Sequence, residues 1–145
     1  MNNSAVYISK FFVTCYVIIS ASSVFAQTVG DFRCKVHLVT SASSLTAAEQ
    51  RLLDSTYVGK EFTVERRTGH MAGALKILSP VDPQIIDSGS SENSFKMIAS
   101  MRRDQGIGAG TAIYSLVINT FDSNFNKPFL FTYNTTAYRG TCLAF

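Results

Sequence analysis

Gly106-Ile107-Gly108-Ala109-Gly110 is the first stretch of this 145-residue chain whose composition points to chemistry. Backbone amides of glycine-rich loops can cradle a phosphate. A dinucleotide fingerprint, however, must follow a parallel strand and open a helix. The residues that follow here, Thr111 to Phe121, are β-branched and aromatic, so the pattern predicts a flexible loop leading into a strand. Glu61 and Glu65 are a second candidate, as the carboxylate pair of a glycoside hydrolase. Four residues apart on one strand face, they would stand ~13 Å from each other, whereas working pairs sit ~5–9.5 Å apart. A solvated outer face is the better account of them. His37 and His70 are the only histidines. Neither has a second ligand at metal spacing, and no HxxxH or CxxC arrangement exists, so neither a metal nor a cofactor is expected. The G-x-S-x-G nucleophile signature is absent, which leaves a Ser-His-Asp site only if one assembles from distant positions.

Two further groups carry chemistry of a structural or binding kind. The cysteines are Cys15, Cys34 and Cys142. Cys15 falls inside an apolar leader and is lost with it. The remaining pair, Cys34 and Cys142, argues for one disulfide in an exported chain. Its loop would span about the whole domain, and loop entropy then contributes ~4–5 kcal/mol. Two separate buried thiols are the plainer alternative. The second group is a pair of basic doublets, Arg66-Arg67 and Arg102-Arg103, each at the end of a predicted strand. If both ends point the same way, the four arginines form an anion or partner patch. Solubility and blunted sheet edges are the plain account. Asn134-Thr135-Thr136 is formally a glycosylation sequon, which matters only in a eukaryotic secretory pathway.

The compartment follows from the first segment. Lys10 is its only charge, the apolar run Phe11 to Ala21 comes next, and Val24-Phe25-Ala26 places suitable residues at a cleavage site. That is the layout of a secretory signal peptide over residues 1–26. The run is shorter than the ~20 apolar residues of a spanning helix, so no membrane span is expected after its removal. Cleavage leaves 119 of the 145 residues, Gln27 to Phe145, as one domain large enough for a single core. Without Lys10 the chain has 12 basic and 10 acidic residues, too even a balance to argue for nucleic acid or a membrane surface.

The elements that must position these residues are short strands. Asp31 to Thr40 alternates, with Phe32, Cys34, Val36 and Leu38 on one face and Arg33, Lys35 and His37 on the other. Thr46-Ala-Ala-Glu49 matches a capping box and predicts a short helix ending near Ser55. Ala48, Leu52 and Leu45 form its inner stripe, with Glu49, Gln50 and Arg51 outward. Lys60 to Leu78 reads as a hairpin about Arg67-Thr68-Gly69. Gln84 to Asp87 is a short strand, and Ser94 to Arg102 a clear one with Phe95, Met97, Ala99 and Met101 on one face. Thr111 to Phe121 is apolar on both faces, which predicts a central strand or one covered by the helix. Lys127 to Cys142 closes the chain as a hairpin, turning at Asn134-Thr135, with Phe129, Phe131 and Tyr133 on one face and Cys142 near its tip.

These elements predict an α+β domain, predominantly antiparallel β. Seven or eight short strands form a small barrel or strongly curved sheet, with one short helix between strands 1 and 2; an all-β sandwich is the alternative. The function expected is a small secreted or periplasmic binding domain without catalysis, its partner a protein or an envelope component. The runners-up are a carrier holding a small apolar ligand inside a barrel and, more weakly, an enzyme with a dispersed site.

Overall fold

A computed structural model describes residues 30–77, 82–105 and 110–145. The leader over residues 1–26 and the core of the glycine loop, 106–109, lie outside the described residues. Eight strands alternate inward and outward side chains as the sequence pattern requires. They are β1 (Phe32–Ser41), β2 (Glu61–Val64), β3 (Met71–Gly73), β4 (Gln84–Ser88), β5 (Phe95–Met101), β6 (Ala112–Ile118), β7 (Lys127–Tyr133) and β8 (Thr136–Ala144). One helix, α1 (Ala47–Tyr57), stands between β1 and β2. The strands form one antiparallel sheet in the order β3-β2-β1-β8-β7-β6-β5-β4. The first and last strands are therefore neighbours at its centre, and two meanders run outward from them. The expected α+β, antiparallel architecture holds. The sandwich alternative does not, because the strands make one continuous sheet.

The sheet curls into a half-barrel. Phe32 on β1 and Phe95 on β5 are four strands apart in the order, yet their ring centroids lie 5.4 Å from each other. Phe62 on β2 likewise meets Phe129 on β7 edge-on at 5.2 Å. Such offset and edge-to-face contacts are the favourable ones for aromatic rings. The inner face is closed by buried side chains from six of the eight strands, among them Val36, Phe62, Val64, Leu116, Ile118 and Cys142. At the seam between the two sheet edges, the β2–β3 turn packs against β4. A Cβ placed on Gly69 would stand 3.0 Å from both Ile85 and Pro83.

Several local expectations are corrected. The pairing of β1 with β8 shifts register between Val36 and Leu38, so His37 is an extra residue. One inserted residue inverts the parity of everything after it. Leu38 therefore turns outward, 45% exposed, and Val39 takes its place in the core. In α1 the capping box forms as expected, with Thr46 and Glu49 exchanging bonds. The inward stripe is Gln50, Leu53, Asp54 and Tyr57 instead of Ala48 and Leu52. Gln50 Nε2 donates to the Val39 carbonyl oxygen at 3.2 Å, and Leu52 is left 67% exposed. Both stripes have helical spacing, and the position of β1 selects between them. The return strand predicted to Leu78 is confined to Met71–Gly73, because Gly73 adopts φ 109° and turns the chain out of the ladder. The closing hairpin turns at Asn134, φ 48°, as expected. Cys142, opposite Lys127, lies at the open end of that hairpin and not near its tip.

Candidate functional site

Cys34 and Cys142 are directly opposed on β1 and β8, and their Cα atoms are 3.9 Å apart. Both side chains face the core, and the disulfide joins them across a sequence separation of 108. The bond pins the two ends of the domain at the middle of the sheet. Two residues before Cys142, the strands approach so closely that a Cβ on Gly140 would collide with the Lys35 carbonyl oxygen.

The structure does not bring the two arginine doublets together. Arg66 follows β2 and reaches across the seam. Its Nε donates to the Ser88 carbonyl oxygen at 2.6 Å and its Nη2 to that of Gly89 at 2.7 Å. Its guanidinium lies 5.2 Å from the centre of the Phe32 ring, and its backbone N–H donates to Asp31 Oδ1. Burial lowers its pKa from the ordinary arginine value. Arg66 is thus a clamp between the two edges of the half-barrel. Arg67 is largely exposed and pairs with Glu65 at 3.1 Å. Ser88 pairs with Phe95 at the start of β5, whereas Arg102 and Arg103 follow its other end, roughly 20 Å away at the rise of a strand. Arg102 is paired with Asp104 at 3.3 Å, and Arg103 is exposed in the turn beyond.

The other sequence candidates are scattered. His37 is the exposed bulge residue on β1. His70 Nε2 lies 3.4 Å from Asp82 Oδ1, but both side chains are well exposed. Glu61 faces solvent on β2. Glu65 belongs to the turn after β2, where a hydrogen bond from the Thr68 hydroxyl, 2.7 Å, and the neighbouring Arg67 lower its pKa from the usual carboxylate value. Asn134 is engaged with Ile113 twice. Its N–H donates to the Ile113 carbonyl and its Oδ1 accepts from the Ile113 N–H, each at 2.9 Å. No group of three His, Cys, Asp or Glu among the described residues could hold a metal ion.

Under α1 the inner face ends in a run of aromatic rings. Tyr57 meets Tyr138 edge-on at 5.1 Å, Tyr138 lies 5.6 Å from Phe131, and Tyr114 stacks on Tyr133 at 4.9 Å. Burial, with Tyr57 alongside, pushes the Tyr138 phenol up to about 12.

The outer face carries an arrangement that sequence reasoning missed. Cross-strand register lines up Leu38, Arg139, Leu130, Val117 and Lys96 as one row over β1, β8, β7, β6 and β5. Leu130 is 39% exposed and Ile98, on the next row, 42%. A shallow open depression of about 380 Å³ lies on the row, lined by Val117, Asn119, Pro128, Leu130 and Arg139 among others. Arg139, Lys35 and Arg33 face solvent on the same side of β8 and β1, and none of them is in an ion pair among the described residues. No signal in the sequence aligns these residues, because the row depends on four strand registers and on the bulge at His37.

No helix among the described residues is long and apolar enough to cross a membrane. Comparison of the chain with protein-family models, with curated proteins and with solved structures finds no match.

Proposed function

We propose that this chain is a small exported binding module without catalysis of its own, gripping a protein or another component of the envelope with the outer face of its sheet. The observation that carries the reading is that face, where aliphatic side chains stand in register in solvent beside Arg139, a cation in no ion pair among the described residues. In a sheet whose other side is already packed, such side chains add nothing to the core, and exposed apolar groups ringed by polar ones mark interaction sites. The Cys34–Cys142 disulfide fits an oxidising compartment. A carrier for an apolar ligand has less support, since Phe32, Phe62, Phe95, Met97 and Leu116 fill the inner face.

The test is site-specific photo-cross-linking in cells that make the protein. The cross-linker is placed in turn on the outer face, at the exposed Phe121 and Phe125, and at the edge strands. One recurrent adduct from a contiguous set of positions is expected. If no position yields an adduct, the module reading fails.

A further inference from the structure

We infer that the outer face of β1, β8, β7 and β6 takes an acidic, aliphatic-bearing segment of a partner protein. This rests on the binding-module reading and gives its partner a chemistry. Leu38, Leu130 and Val117 occupy three of four successive strands in one row, with Arg139 between Leu38 and Leu130. Neighbouring strands are ~4.8 Å apart, so the row presents apolar groups over ~14 Å with a guanidinium inside it. Lys35 lies one row away, opposite Thr141, which itself pairs with Pro128.

Charge decides the kind of partner. Among the described residues Arg139 and Lys35 are in no ion pair, and Arg33 lies over the Phe145 ring at 5.2 Å without an ion pair. Glu61, opposite Lys35 on β2, is the acidic residue on this part of the face. At the far end of the row, Lys96 is already 3.8 Å from Asp87. Lys35 thus has Glu61 across from it on β2, whereas Arg139 is in no ion pair among the described residues, and a segment that places a carboxylate on Arg139 while laying aliphatic groups on Leu38, Leu130 and Val117 is the complementary one. The depression is open along the row, which suits a ligand that spreads along it. The row itself is aliphatic and holds no aromatic platform of the kind that stacks nucleic-acid bases.

The test uses the folded chain and a short fluorescent peptide that alternates Glu and Leu. Binding is read by anisotropy and mapped by amide chemical shifts. Wild type should bind with shifts on the outward positions of β1, β8 and β7. Arg139→Glu together with Lys35→Glu should weaken binding by about tenfold or more and should make the same protein accept a peptide alternating Lys and Leu. Leu130→Ser should weaken both. These are exposed positions, and an unchanged melting temperature confirms that each variant folds. The inference is overturned if wild type binds the Lys-Leu peptide equally well, if charge reversal leaves affinity for the Glu-Leu peptide unchanged, or if wild type ignores the peptide and binds anionic phospholipid vesicles. A cellular cross-link that survives charge reversal overturns this face while leaving the module reading in place. Absence of any cross-link removes the module reading itself.

Discussion

The two sides of β6 are built to different rules. Ala112, Tyr114, Leu116 and Ile118 point inward and are buried, while Ile113, Ser115 and Val117 alternate with them and point out, Ile113 64% exposed. Inward positions are chosen by what fills the half-barrel. Outward ones take no part in the core, yet aliphatic residues recur there on β4, β5, β6, β7 and β1. An antiparallel sheet needs only one apolar face to fold. The contrast teaches that the two faces answer to different demands: the inner face holds the fold, and the proposed binding would fall to the outer one.

The strongest way to break the comparison is to remove the inner-face disulfide. The double variant Cys34→Ala/Cys142→Ala should lose about 4–5 kcal/mol in urea unfolding, less where the reduced chain keeps residual structure. A loss near zero would mean that packing alone joins β1 to β8. Sharper still is a pair of adjacent truncations on β6. Leu116→Ala should cost about 2–5 kcal/mol because it opens a cavity in the core, and Val117→Ala about 0.5 kcal/mol or less. Equal costs would show that the outer face is also structural. Arg66→Ala should cost about 1–2 kcal/mol by leaving two seam carbonyls without their charged donor. Arg66→Lys should recover little of it, since an ammonium cannot reproduce the planar fork. Full recovery would reduce the clamp to a point charge.

The smallest effect is on pH. The Tyr138 phenol is raised to about 12 by burial first and Tyr57 second. The folded state therefore holds this proton more tightly than the unfolded state. The contribution is fully present below the ordinary tyrosine pKa of about 10 and is lost as pH rises toward about 12. Ultraviolet titration should show one tyrosine ionising late, and Tyr138→Phe should abolish that late step. A late step that persists would assign it to another phenol.

Much of the inner face was legible in the sequence. Phe95, Met97 and Ala99 alternate with Lys96, Ile98 and Ser100, and a period of two is a local property that any half-buried strand displays. The turn at Asn134 and the capping box at Thr46 and Glu49 were equally local, each within a few residues of backbone. The outer face was not legible, since its meaning lies in which residues stand side by side. The sequence places Leu38 with the inward set; the structure puts it next to Arg139 on the outside.

By itself, then, the sequence determined the approximate position of seven or eight strands, the start of the helix and the turn chemistry, and it favoured the pairing of Cys34 with Cys142 over two separate thiols. These follow from short-range periodicity, from capping and, for the cysteines, from Cys15 standing apart in the apolar run near the start. Only the tertiary structure decided the strand order with β1 beside β8, the bulge at His37, the face of α1 that meets the sheet, the reach of Arg66 to Ser88 and Gly89, and the row from Leu38 to Lys96. Each of those depends on register between segments far apart in the chain, where one inserted residue exchanges the two faces of a strand, and no local pattern records that exchange.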